Sequence, residues 1–187
     1  MAALWRKLTV VGDDSCGKTC LLFALRHEQL PKCYEPTVFD TYTTNIEVDG
    51  KNLKLILFDV SGKDEAGYQN LRSVSYQDTD VILMCFSVDR PDSLQNILDI
   101  WVPEIKFFCS TVPIILVATK IDLRDDEGVR ISTVKGKALA ASIGAYAYLE
   151  CSAKTKEGVD TALEIISQCV LNEKRRRKRH HRSCRIL

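Results

Sequence analysis

Two stretches of this chain, Val81–Val88 and Val112–Ala118, are apolar almost without interruption. A strand with one wet face alternates in polarity. An unbroken apolar run therefore predicts strands covered on both sides, which means a mainly parallel sheet between two layers of helix. The rest of the pattern agrees. Leu4–Val11 reads as a first strand and Cys16–Leu25 as a helix. Val38–Val48 alternates and ends at Asp49-Gly50, a hairpin turn signal, with Leu53–Val60 as its partner strand. Pro91-Asp92-Ser93 opens an amphipathic helix to about Phe108. A helix near Val134–Ser142, a strand near Ala145–Glu150 and a helix from about Glu157 to Leu171 complete the body. A length of 187 residues suffices for one domain and scarcely for two. The expected fold is a three-layer α/β domain that takes its ligands at the carboxyl ends of its strands.

The residues that carry chemistry fall at those ends. Gly12-Asp13-Asp14-Ser15-Cys16-Gly17-Lys18-Thr19 matches G-x-x-x-x-G-K-T between a predicted strand and a predicted helix. Glycines let backbone N–H groups wrap phosphates, and the helix N-terminus adds partial positive charge. Lys18 reaches the β- and γ-phosphates and the Thr19 hydroxyl can ligate Mg²⁺. Asp59-Val60-Ser61-Gly62 follows the third strand, where a carboxylate can hold the Mg²⁺ shell. Alone, D-x-x-G is as often a turn; its place relative to the phosphate loop gives it meaning. Thr119-Lys120-Ile121-Asp122 closes the fifth strand and Cys151-Ser152-Ala153-Lys154 the sixth. A carboxylate at Asp122 can accept both the ring N–H and the exocyclic amine of guanine, a donor pair that adenine lacks. The Ala153 N–H can bind the guanine carbonyl.

With four motifs in this order, the chain resembles the small GTPases of the Ras superfamily and, more narrowly, the Rho family. The Rho-type stretches are Tyr34-Glu-Pro-Thr37-Val38-Phe39-Asp40-x-Tyr42, Asp80–Ser87, Pro91–Leu94, Val112–Val117 and Glu150–Thr155. The resemblance runs from about Leu4 to the last residue. It implies a P-loop G domain over residues 1–172, with a six-stranded mainly parallel sheet and helices on both faces, followed by a variable tail over 173–187. It implies GTP and GDP as ligands with Mg²⁺ held by Thr19, Thr37 and Asp59. Gly12 to Thr19 and Gly62 would bind phosphates. Cys20, Leu30, Thr119, Lys120, Asp122, Ser152, Ala153 and Lys154 would surround guanine. Segments near 30–42 and 60–78 would be switches that order with GTP, relax with GDP and present Tyr34, Thr37, Val38, Phe39, Asp40 and Tyr42 to effectors. The implied partners are Rho-type effectors, exchange factors and a GDP-dissociation inhibitor, met by a monomer in control of actin and cell shape.

The chain departs from the family pattern at positions that matter for hydrolysis. Asp14 stands where the family has Gly, crowding the space of the attacking water and of a GAP's arginine finger. Lys63 stands at the position of the catalytic Gln; an ammonium only donates hydrogen bonds and cannot accept one from the nucleophile. Ser61 replaces the usual Ala, Val60 the usual Thr, and the second switch carries an extra pair, Ala66-Gly67. Leu30 replaces a Phe that lies over the guanine ring. The segment between Asp122 and Gly144 is short for a Rho protein, so its insert helix is expected to be missing.

The formal charge of +1 hides an asymmetry, because residues 174–187 carry +8 and the body −7. The run Lys174–Arg179 precedes Cys184-Arg185-Ile186-Leu187, a C-a-a-X box whose final Leu favours geranylgeranyl on Cys184, with Arg185 atypical at its position. One prenyl chain and a polybasic run are two signals for an anionic membrane. They point to the cytoplasmic face of the plasma membrane with a cytosolic pool, rather than to nucleic acid. No stretch is long and apolar enough for a signal peptide or a membrane span, and the eight cysteines contain no C-x-x-C pair, so free thiols are expected. Two readings stand: a membrane-anchored switch biased to GTP by impaired hydrolysis, or a conventional cycling GTPase. A P-loop kinase would leave Thr119–Asp122 without a role.

Overall fold

The computed structural model describes residues 4–31, 36–48, 50–63, 66–124 and 130–183. Tyr34 and Cys184, expected for effectors and for the lipid, lie outside them.

Six strands form one sheet in the order β2-β3-β1-β4-β5-β6. They are β1 (Leu4–Val11), β2 (Phe39–Val48), β3 (Lys51–Val60), β4 (Val81–Ser87), β5 (Ile114–Thr119) and β6 (Ala147–Glu150). The pair β2/β3 is antiparallel, as the hairpin signal in the sequence predicts, and every other pairing is parallel. Parallel pairing puts the carboxyl ends of β1, β3, β4, β5 and β6 along one edge. All seven residues of β4 are buried, which accounts for its unbroken apolar run.

Helices cover both faces. On one, α1 (Lys18–Leu25) and α6 (Val159–Ser183) pack Leu21, Leu22, Val159, Ile166 and Val170 onto Leu8, Leu55, Leu57 and Val117. On the other, α3 (Pro91–Asn96), α4 (Val102–Cys109) and α5 (Thr133–Ile143) bring Leu94, Ile105 and Leu139 onto Ile82, Met84, Phe86 and Leu116. Each such aliphatic side chain, fully buried, contributes about 1.5–3 kcal/mol.

Three elements differ from expectation. The helix expected from Pro91 to about Phe108 is interrupted by a π turn over Ile97–Trp101. Its cause is a buried carboxylate: Asp13 Oδ2 accepts from Asn96 Nδ2 and Oδ1 from Trp101 Nε1, both at 2.8 Å. In an α-helix, residues five apart stand about 140° around the axis, whereas an i→i+5 turn returns them to nearly one face. Within the segment expected to be the second switch, where the sequence pattern predicts no helix, α2 (Ala66–Ser75) forms, burying Arg72 and Ser75 and exposing Leu71 and Val74. Finally, α6 continues past Leu171 and through the basic run to Ser183. Between Leu123 and Thr133 no helix intervenes among the described residues.

Candidate functional site

The loop from Gly12 to Gly17 joins β1 to α1 at the sheet edge. Gly12 (φ 140°) runs so close to β4 that a Cβ there would sit 2.2 Å from the Cys85 carbonyl oxygen. Gly17 is left-handed (φ 89°), turning the chain into α1. Lys18 is buried and its Nζ donates to the carbonyls of Gly12 at 2.9 Å and Asp13 at 2.7 Å, closing the loop on itself. Thr119 Oγ1 donates at 3.0 Å to the Phe86 carbonyl and also contacts the Cys16 carbonyl, which fixes the loop against β5. The Asp13 side chain points away from the cleft, into its bonds with Asn96 and Trp101, so only its backbone remains for a phosphate.

A cavity of about 270 Å³ opens above this loop, walled by Asp14, Ser15, Lys18, Thr37, Ser61 and Gly62 among others. At its floor Thr19 Oγ1 donates to Asp59 Oδ2 at 2.6 Å and meets the Thr37 hydroxyl at 3.0 Å. Asp59 is wholly buried, and its Oδ1 has no hydrogen-bond partner. Burial raises its pKa above the ordinary carboxylate value, against the pull of Thr19 and Lys18. Three oxygen side chains, one of them an orphaned carboxylate oxygen, suit a hard divalent cation such as Mg²⁺.

A second cavity of about 240 Å³ adjoins the first, sharing Gly17, Cys20 and Lys120. Its walls include Leu30, Thr119, Asp122, Ala153 and Lys154. Asp122 is aimed by the Ser152 hydroxyl, which donates to its Oδ1 at 2.6 Å. Most of the expected phosphate and base residues thus line one continuous cleft, its phosphate side the more polar; Gly12, Asp13, Cys16 and Ser152 support it from behind the wall.

The remaining predicted residues are placed around it. Lys63 does not wall the phosphate-side cavity; its Nζ donates to Tyr68 Oη at 3.4 Å, and its backbone N–H donates to the Ser61 hydroxyl oxygen at 3.3 Å. The Asp14 carbonyl accepts from Arg90 at 2.7 Å. Gly62 presses on the phosphate loop, where a Cβ would lie 2.3 Å from Asp13 C and Asp14 N. Val38 and Phe39 are exposed, and Tyr42 donates to Asp40 Oδ2 at 2.8 Å. The Ser61 N–H bonds the Val38 carbonyl at 3.1 Å, tying one predicted switch to the other.

Two supports carried no signal in the sequence pattern. Arg72, buried beneath α2, pairs in two parallel bonds with Glu104 at 2.9 and 2.8 Å and donates to the Ser61 and Lys63 carbonyls. Arg124 and Glu150 make a similar pair at 2.9 and 2.7 Å, bracing the Thr119–Asp122 loop against the Ser152–Lys154 loop.

A family model for the Ras family matches residues 7–172. The Rho-related GTP-binding protein RhoB of Homo sapiens is 54% identical over 184 residues, which cover 93% of this chain and 93% of that protein. The RhoB proteins of Mus musculus and Rattus norvegicus match to the same extent.

Proposed function

The chain belongs to the Ras family and within it to the Rho small GTPases, signalling switches that bind guanine nucleotides, and we propose that it is held in the GTP state by impaired hydrolysis. The observation that carries this reading is the pair Asp14 and Lys63. Asp14, which carries a carboxylate where the family has Gly, lines the phosphate-side cavity. Lys63 offers only donors where a side chain must accept a hydrogen bond from water, and its ammonium is turned toward Tyr68.

The cleft is read as follows. The backbone from Asp13 to Thr19 and the Gly62 N–H cradle the phosphates, Lys18 neutralises them, and Asp122, Ala153 and Lys154 select guanine against the Cys20 and Leu30 wall. Thr19, Thr37 and Asp59 would hold Mg²⁺, which would supply charge neutralisation for the phosphates. The Thr37 and Ser61–Val38 contacts give the first switch a route by which a terminal phosphate orders the effector residues Thr37, Val38, Phe39, Asp40 and Tyr42. Rho-type effectors, exchange factors and a dissociation inhibitor are the partners. Residues 173–187 act as an arm, continuous with α6 as far as Ser183, that holds the chain to the plasma membrane through a lipid on Cys184 and the cations of 174–179.

Single-turnover hydrolysis tests this. The natural chain should turn over GTP at a rate barely above background with or without a Rho GAP. Asp14→Gly with Lys63→Gln should recover orders of magnitude, and either change alone should recover less, since residues acting as one unit are not additive. Brisk GTP turnover by the natural chain would leave the conventional cycling enzyme as the better reading.

A further inference from the structure

Trp5 stands out on β1. Strand register places it beside Lys54 of β3, on the face opposite Leu8, Leu55 and Leu57. The indole is 51% exposed, and Lys54 Nζ lies 4.3 Å from its ring centroid. An exposed indole capped by an ammonium is apolar in body and polar at its margins, the character that concentrates Trp at membrane–water interfaces.

Its neighbour says which surface it meets. Arg6 Nη1 donates to the Trp5 carbonyl at 2.7 Å, and Arg6 Nε donates to the Val170 carbonyl of α6 at 3.4 Å. The basic run therefore begins four residues beyond a backbone group tied to Trp5, about 6 Å further along the helix axis. The body is otherwise acidic, at −7. Arg6, Lys7 and Lys54 give this end of the sheet cations of its own beside the start of the run, with Trp5 and Lys54 on one face and Arg6 reaching α6 on the other.

We propose that Trp5 and Lys54 form a second membrane contact, the indole entering the headgroup layer of an anionic bilayer and Lys54 meeting lipid phosphates. The proposal rests on the reading of the C-terminal arm as membrane-directed. It goes beyond that reading in giving the G domain a defined face toward the membrane, with the nucleotide cleft at the far end of β1.

The chain has two tryptophans, and Trp101 is 1% exposed and bonded to Asp13, so a lipid-dependent change in emission reports Trp5. The full chain is mixed with vesicles of phosphatidylcholine alone or with one third phosphatidylserine. Binding is read by sedimentation, and Trp5 by emission shift and by quenching from brominated acyl chains. The expected result is sedimentation with the serine lipid, a blue shift and quenching, all optical changes being lost in Trp5→Phe. Lys54→Ala should lower partitioning about fivefold, the effect of one cation near the leaflet. Sedimentation with unchanged, unquenched emission would overturn the contact while leaving the arm's role standing, and would mark the Trp5 face for a protein partner instead. No sedimentation on the anionic vesicles would overturn both.

Discussion

The Thr19 hydroxyl donates to Asp59 Oδ2 at 2.6 Å, while Oδ1 of the same fully buried carboxylate has no partner. A buried half-satisfied charge is unfavourable, and the raised pKa of Asp59 expresses this. For an acid, a folded pKa above the unfolded one means that the folded state binds the proton more tightly. The ionised group then weakens the fold at neutral pH, and the penalty disappears below the unfolded pKa. Asp59→Asn removes the charge and keeps an acceptor for Thr19. In EDTA and without nucleotide, the variant should melt at or above the natural chain at pH 7. It should lose the slowing of nucleotide release by Mg²⁺, at least tenfold. A variant that melts lower and keeps its Mg²⁺ response would make Asp59 a structural residue.

Asp122 gives the base its identity, if the second cavity is the guanine site. In Asp122→Asn the side chain keeps one acceptor but turns an N–H toward the other guanine N–H, so one of the two charge-assisted hydrogen bonds is lost, and hydrogen bonds to charged groups contribute about 1.5–3 kcal/mol. GTP affinity should fall about ten- to 150-fold. Xanthine nucleotides, whose ring presents an acceptor there, should gain. Competition binding with both nucleotides checks it, and unchanged GTP affinity would remove the assignment.

The Arg124–Glu150 pair makes a pH-dependent prediction. Burial pushes the Glu150 carboxyl up, but bonds from Arg124 and Tyr148 outweigh it and hold its pKa below the ordinary 4.5. A lowered folded pKa contributes stability that is fully present above the unfolded value and is lost as pH falls through the folded one. Glu150→Gln should therefore lower Tm at pH 7 by about 2–4 °C if the pair contributes about 1 kcal/mol. The gap to the natural chain should close as the pH is taken below 4.5. A gap that persists in acid would mean the pair acts through packing alone.

These sites were unequally legible in the sequence. Strands β4 and β5 declared themselves because burial on both faces leaves no polar position. The phosphate loop and Asp122 did so because their spacing has a chemical reason. The π turn did not, because its cause lies in Asp13, more than eighty residues upstream of its bonds to Asn96 and Trp101. Helix α2 was hidden for the opposite reason: its apolar residues Leu71 and Val74 face solvent, and the buried position belongs to Arg72, paired with Glu104. The end of α6 was misplaced because a run of like charges reads as unstructured, whereas the helix carries on through it.

The last prediction concerns nucleotide retention. Leu30 walls the base-side cavity together with Asp122 and Lys154. A leucine there offers guanine an aliphatic contact where the family's Phe would offer an aromatic one. The lost aromatic term is about 0.5–1.5 kcal/mol beyond area. Dissociation must break base contacts, so a weaker contact in the bound state should show mainly as a faster off-rate, by a factor of about 2–13. The phosphate end acts on both nucleotides through Lys18, but only GTP brings a γ-phosphate for its ammonium to hold. GDP should therefore leave quickly and GTP more slowly, loading the chain with GTP without an exchange factor. The measurement is release of a fluorescent GDP analogue from the natural chain and from Leu30→Phe at fixed Mg²⁺, with the GTP analogue run in parallel. Slower release from Leu30→Phe for both nucleotides is the expected outcome. Equal rates in the two proteins would mean that Leu30 does not govern retention, and spontaneous loading would then lose its physical basis.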